Sequence, residues 1–190
     1  MSLQEHAAEN LRYIRETMAG AATFTAVPGW GGVGMGLTAL ATAAIVGPPR
    51  DDATWLFLWI GEAALATSIG LAAFAWKAQR SHVPLTSSAT RRFTLAFLPG
   101  IVAGAVLTMM MAREGWQMRL PGCWLLLYGS AVASGGALSV AAVPLMGALF
   151  MLLGTVAFVA PVAWGHYFMA AGFGVAQIIV GLIIARRYGG

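Results

Sequence analysis

Residues 122–164 read GCWLLLYGSAVASGGALSVAAVPLMGALFMLLGTVAFVAPVAW, and no charged side chain interrupts them. At the rise of an α-helix this run is roughly 65 Å long, about twice the 30 Å thickness of a bilayer's hydrocarbon core. Two membrane-spanning helices therefore fit within it. Pro144, close to the middle of the run, is the predicted position of the turn between them.

Similar apolar segments lie on both sides of this run. The chain has 190 residues, of which 59% are hydrophobic and only 9% are charged, whereas soluble domains carry about 25% charged residues. Lipid must then cover most of the surface. We predict an all-α integral membrane protein, a bundle of about six transmembrane helices over residues 27–187, followed by a cytoplasmic tail, residues 188–190. The spans are predicted at about 27–46, 54–76, 93–112, 122–142, 145–164 and 166–185.

The N-terminal segment, residues 1–26, is the one amphipathic stretch. Ser2 and Glu5 have the spacing of a capping box, and apolar residues recur behind them at helical intervals. We predict an interfacial helix on the cytoplasmic side. Packing on the chain's own bundle and docking on a partner are the alternatives.

The orientation follows from the distribution of basic residues, because cytoplasmic loops carry the excess. One side of the predicted topology receives eight of them: Arg12, Arg15, Lys77, Arg80, Arg91, Arg92, Arg186 and Arg187. The other side receives Arg50, Arg113 and Arg119. Both termini are therefore predicted to be cytoplasmic. Lys77 is the only lysine among these residues, a bias typical of GC-rich bacterial genomes, so we expect a bacterial cytoplasmic (inner) membrane.

Glu62 is the one acidic residue well inside a predicted span, about 13 Å from the outer end at helical rise. Charged residues at this depth face the bundle interior or water. Gln177 is predicted at the same depth, flanked by Ser130 and Ser134. We expect Glu62 to be buried and hydrogen-bonded to Gln177 or to a serine hydroxyl, which makes these four residues the candidate ligand- or ion-binding site.

Small residues are spaced four apart in several spans, and so lie on one helix face. Gly32 and Gly36 form one such pair and Gly100 and Gly104 another. This spacing lets helix backbones approach closely in lipid. Packing inside the bundle and a specific oligomer interface are both compatible with it. The motifs Pro28-Gly29-Trp30 and Pro121-Gly122-Cys123-Trp124 open spans one and four, as an inverted three-plus-three repeat would place them.

Cofactor and metal sites find little support in the sequence. Met109, Cys123 and His166 are predicted near the outer interface, and thioether, thiol and imidazole together suit Cu(I). Methionine is also an ordinary filler of apolar gaps, so we predict no metal and no cofactor. The net charge of +4 comes from basic residues at span ends, so no nucleic-acid binding is expected. Motifs of hydrolases and metalloproteases are absent, and we expect no enzymatic activity.

Two functions remain open. In the first, the protein transports or senses a small solute or ion at an intramembrane site around Glu62. In the second, it is a non-transporting structural or accessory subunit that forms a homo-oligomer or binds a larger membrane complex through its small-residue faces. In both, the lipid bilayer is the first partner.

The predicted topology can be checked in intact cells. A tag placed after Gly190 should be protected from a protease or an impermeant label added outside, and should become reachable after the membrane is opened. A tag that reacts only from outside would contradict the predicted orientation.

Overall fold

The computed structural model describes residues 27–47, 52–80, 87–137 and 139–188, together with Asn10. These residues form helices joined by short turns, with no strand among them. The predicted interfacial helix falls, apart from Asn10, outside the described residues.

Six long helices follow one another in the described part of the chain. They are α1 (Gly29–Val46), α2 (Asp52–Arg80), α3 (Ser88–Arg113), α4 (Leu120–Gly136), α5 (Ala142–Val159) and α6 (Val162–Tyr188). Helix α6 opens with a 3₁₀ turn and contains a π-helical segment, Ala170–Ala176. Five helices are long and apolar enough to cross a membrane; α4, with 17 residues, is shorter.

The turn between α4 and α5 lies before Pro144 and not at it, which corrects the predicted position. Helix α4 ends at Gly136, and α5 begins at Ala142, so Pro144 sits in the first turn of α5. Two consecutive glycines, Gly135 and Gly136, weaken the end of α4. A proline is tolerated in a first helical turn because the amide there has no partner within the helix.

Helices α2, α3 and α6 are longer than predicted. Helix α2 continues to Arg80, and α3 begins at Ser88 because the Ser87 hydroxyl caps it, accepting a hydrogen bond from the Thr90 amide at 3.2 Å.

Successive helices run in opposite directions, which gives the molecule two ends. The lysine end contains the start of α1 and the ends of α2 and α6. There the Lys77 ammonium donates hydrogen bonds to the carbonyl oxygens of Val27, at 3.0 Å, and Tyr188, at 3.5 Å, and so joins these three helices. The opposite end contains Trp55, Trp59 and Trp124, and we call it the tryptophan end.

The helices associate in two groups. Helix α1 packs against α2 and α6, whereas α4 packs against α3 and α5. In the first group, the hairpin α1–α2 of the first half of the chain is joined by α6, the third helix of the second half. In the second group, the hairpin α4–α5 of the second half is joined by α3, the third helix of the first half. Two inverted three-helix repeats that exchange their third helices give this pairing pattern.

The glycine pairs singled out in the sequence are used inside the chain. A methyl group on Gly36 would lie 2.6 Å from Ile178 Cγ1 and 2.8 Å from the Gly174 carbonyl oxygen, and one on Gly32 would lie 3.3 Å from Gly181 Cα. On the other side, a methyl group on Gly100 would lie 2.8 Å from Ala131 Cβ. Gly104 is looser, at 3.8 Å from Leu127 Cδ1. The glycines of α1 therefore admit α6, and Gly100 of α3 admits α4.

Helices α2 and α3 leave most of their surface uncovered, and that surface is apolar. Large side chains such as Phe57 and Leu71 on α2, and Leu95 on α3, are more than half exposed. The exposed hydroxyls of Thr67, Ser68 and Thr155 each donate to the carbonyl oxygen four residues earlier in their own helix, at 2.7–2.9 Å. A surface built in this way suits contact with hydrocarbon.

Substitution of two glycines tests the packing of α1 on α6. The Gly36→Ala substitution should destabilise the protein by about 1–3 kcal/mol, because the new methyl group meets the backbone of α6. Gly61→Ala is the matched control, since nothing lies within 4 Å of its added methyl group. That substitution should be neutral or stabilise by up to about 1 kcal/mol through helix propensity. Thermal unfolding in detergent measures both, and equal losses would contradict the assigned contact.

Candidate functional site

Glu62 lies on the face of α2 that packs toward the bundle. Trp55, Trp59 and Glu62 are spaced four and three residues apart, and each is at most 6% exposed. This spacing places them on one side of a helix. The expected burial of Glu62 is therefore confirmed.

Two threonines of α1 bind the carboxyl group. The Thr38 hydroxyl lies 2.8 Å from Glu62 Oε1, and the Thr42 hydroxyl lies 3.2 Å from Glu62 Oε2. Thr38 and Thr42 are one helical turn apart, so one face of α1 presents both hydroxyls to both carboxyl oxygens. We call Glu62, Thr38 and Thr42 the carboxyl site. Thr38 is near the midpoint of α1, which puts the carboxyl site at mid-depth in the bundle.

The Thr38 hydroxyl has a second neighbour that matters chemically. Its oxygen is also 2.9 Å from the carbonyl oxygen of Met35. A hydroxyl has one hydrogen and two lone pairs, so it can donate to Glu62 or to Met35 but not to both. When it donates to Met35, its lone pairs are free to accept a hydrogen bond from a protonated Glu62. The carboxyl site therefore has a hydrogen-bonded arrangement for either protonation state of Glu62.

Within the part of the chain that the structure describes, no ion pair neutralises the carboxyl group of Glu62. Its hydrogen-bond partners among the described residues are the two threonine hydroxyls, and no lysine or arginine there contacts it. A buried carboxylate without a cation is costly, so charge at this position depends on the two donors alone.

The predicted pairing of Glu62 with Gln177 is wrong. Gln177 is 4% exposed, but its amide nitrogen donates to the Tyr128 hydroxyl of α4 at 3.3 Å. Helix α1 contacts both α2 and α6 and so lies between the two residues. The two side chains therefore have different hydrogen-bond partners.

The serines do not join Glu62 either. The Ser130 hydroxyl donates to the Leu127 carbonyl oxygen of its own helix at 2.9 Å, and Ser134 is exposed. Both residues are on α4, which packs mainly against α3 and α5.

Gln177 belongs to a second polar group beside the π-helical segment of α6. The Tyr128 ring packs against Phe150 and Phe173 with centroids 5.0 and 5.2 Å away. The Gln177 carbonyl oxygen is buried and has no hydrogen-bond partner among the described residues. The π-helical segment that precedes Gln177 is a feature often found at functional sites, but here aromatic side chains fill its surroundings.

The tryptophan end holds an apolar cluster around Trp55 and Trp59. Met169 and Leu120 are fully buried in it, and Met111 and Met118 pack against its edge. Trp55 stacks on Trp124 with centroids 5.8 Å apart and planes 8° from parallel. The Trp124 indole N–H donates to the Thr108 hydroxyl at 2.7 Å. The indole N–H groups of Trp55 and Trp59 are buried and have no partner among the described residues.

The three residues of the alternative metal site differ in how exposed their side chains are. Met109 is 52% exposed on α3, whereas Cys123 and His166 are buried in α4 and α6. Within the described residues, no group of three or more His, Cys, Asp or Glu side chains could hold a metal ion.

Sequence reasoning missed Thr38 and Thr42. The signal was present, because two threonines four residues apart in an otherwise apolar span lie on one helix face. Their hydroxyls are compatible with lipid when bonded to the helix backbone, so nothing marked them as partners of a carboxyl group on another helix.

Comparisons with protein-family models, curated proteins and solved structures give no match to this chain.

A double-mutant cycle measures the coupling between Thr38 and Glu62. Thr38→Val should cost about 1–2 kcal/mol, because it removes a donor to a buried carboxyl group while keeping the side-chain volume. In the Glu62→Leu background the same substitution should cost much less. Thr67→Val, on the exposed face of α2, is the control and should change stability by less than about 0.5 kcal/mol. If Thr38→Val lowers the stability equally in both backgrounds, Thr38 and Glu62 are not coupled, and the assigned hydrogen bond is wrong.

Proposed function

We propose that this chain is a multispan membrane protein that binds and releases a proton at Glu62 and couples that event to the transport or sensing of a small solute or ion. The observation that carries this proposal is the carboxyl site. Its carboxyl group is buried at mid-depth, has no cationic partner among the described residues, and contacts a hydroxyl that can donate or accept.

Three features support placing the chain in a bilayer. Five helices have the length and composition of membrane spans. The uncovered faces of α2 and α3 are apolar. Exposed tryptophans mark both ends, with Trp30 and Trp76 at the lysine end and Trp116 and Trp164 at the tryptophan end, as expected for the two interfaces of a membrane.

The proposed orientation places the lysine end in the cytoplasm of a bacterium. Among the described residues, Lys77, Arg80, Arg91, Arg92, Arg186 and Arg187 lie at that end, against Arg113 and Arg119 at the other. This asymmetry agrees with the positive-inside rule. The tryptophan end then faces outward.

The glycine pairs bear on the alternative role as a structural subunit. Gly32, Gly36 and Gly100 face neighbouring helices of the same chain, so these motifs supply no outward-facing oligomer interface. The uncovered faces of α2 and α3 remain as the proposed contact surfaces for a second copy or a membrane partner, and lipid alone also accounts for them.

Exchange of the Glu62 proton can be read directly by infrared spectroscopy of the protein in lipid vesicles. A protonated carboxyl group in an apolar site gives a C=O stretching band separate from the amide bands. That band should lose intensity as the pH is raised, and it should be absent from Glu62→Gln. The Glu114→Gln variant, at the exposed end of α3, is the control and should retain the band.

The proposed coupling to transport is tested with variants of the same residue. If coupling occurs, Glu62→Gln should abolish any solute or ion flux that depends on a proton gradient, while Glu62→Asp should retain part of it. A carboxyl band that does not respond to pH, or flux that is equal in wild type and Glu62→Gln, would refute the proposal.

A further inference from the structure

Unpaired buried polar atoms are concentrated at the tryptophan end. Five buried side-chain nitrogen or oxygen atoms lack a hydrogen-bond partner among the described residues. Four of them are Trp55 Nε1, Trp59 Nε1, Gln117 Oε1 and His166 Nδ1, all at that end. Buried polar groups in folded proteins are nearly always bonded to protein or to ordered water, so this concentration calls for a physical explanation.

The two indoles and Glu62 form a ladder down one face of α2. Trp55, Trp59 and Glu62 are four and three residues apart, which corresponds to axial steps of about 6 and 4.5 Å. The rings of Trp55 and Trp59 have centroids 6.2 Å apart. A water held by an indole N–H on this face would have its oxygen about 3 Å from the nitrogen. Gln117 is only half-buried and lies in the 3₁₀ turn Gln117–Arg119, which contacts α2.

The hydrogen-bonding groups of the two indoles suit water as a ligand. An indole nitrogen donates and cannot accept, so a water held by Trp55 or Trp59 is bound through its oxygen. Both of its hydrogens are then free to point to the next water or to the carboxylate. A metal ion would occupy the imidazole nitrogen of His166 but would leave both indole N–H groups unpaired.

We infer that Trp55 and Trp59 line a hydrated path through which protons reach Glu62 from the tryptophan end. This inference rests on the proposed proton exchange at Glu62. An excess proton on an outer water passes inward by exchange of O–H bonds. The last water gives a proton to a carboxylate oxygen of Glu62, where the new O–H bond forms. The indole N–H bonds stay intact, so Trp55 and Trp59 are positioning residues.

Trp124 provides an internal comparison. It stacks on Trp55 in the same cluster, but its N–H is bonded to Thr108. It shares the environment of the other two indoles without belonging to the path.

The first experiment uses the unmodified protein. Indole ¹⁵N labelling and transfer into D₂O should show the N–H signals of Trp55 and Trp59 exchanging at least about tenfold faster than that of Trp124, because water reaches them without local unfolding. Trp→Phe variants assign the signals. Equal or slower exchange of Trp55 and Trp59 would overturn the path, whatever Glu62 does.

The second experiment links the path to the carboxyl site. After an acid jump on the side of the tryptophan end, the Glu62 carboxyl band should rise about tenfold more slowly in Trp59→Phe than in wild type, since one hydrogen bond that holds the water is lost. Trp55→Phe is the second variant, and Trp124→Phe is the control with an unchanged rate. Equal rates in Trp59→Phe and Trp124→Phe would overturn the path alone, whereas a band that never responds to pH would overturn the proposed function and the path with it.

Discussion

Close backbone approach at glycine is the contact on which the rest of the structure depends. In lipid, apolar side chains gain nothing by leaving their surroundings, so helices associate where small residues allow extended van der Waals contact. Gly36 meets the backbone of α6, and Gly129 and Gly147 bring α4 and α5 together in the same way, with an added methyl group on Gly129 lying 2.7 Å from the Gly147 carbonyl oxygen. The helices at these crossings have little freedom to move apart. They hold α1 and α4 in the centre of the two groups and leave α2 and α3 on the flanks.

That arrangement explains why α2 can carry a carboxyl group at all. Helix α2 touches the bundle along one face, which carries the buried side chains of Trp55, Trp59 and Glu62. Glu62 points into the contact with α1, where Thr38 and Thr42 replace the hydration it gives up. On the opposite face, Thr67 and Ser68 satisfy their hydroxyls within their own helix. Both faces thus follow one rule, which is that polar groups must be paired where water is scarce.

The sequence predicted the helices better than it predicted their contacts. The lengths of the apolar segments predicted the six helices, and counting residues from the end of α2 predicted that Glu62 lies well inside that helix. Which side chain meets Glu62 depends on the rotation of α2 and on which helix is its neighbour, and neither is encoded in hydropathy. Gln177 was the more polar candidate, but the packing of α1 between α2 and α6 separates it from Glu62. The end of α4 was misplaced because a proline is a stronger visible signal than two glycines, although Pro144 is harmless in a first turn.

The carboxyl site and the two buried indoles, Trp55 and Trp59, differ in how completely their polar atoms are paired. The unpaired atoms lie on the side of Glu62 that faces the tryptophan end. At Glu62 both carboxyl oxygens have a partner, and the Thr38 hydroxyl, with one hydrogen, has three acceptors within reach, on Gly34, Met35 and Glu62. Toward the tryptophan end the indole N–H groups of Trp55 and Trp59 have no hydrogen-bond partner among the described residues. A static structural role for Glu62 would need only the threonines, and it would be better served by aromatic rings above them that carry no N–H, such as phenylalanine, because a buried N–H without a partner is costly. Two buried indole donors on the face that leads to a buried carboxyl group are therefore better explained by exchange with water than by packing.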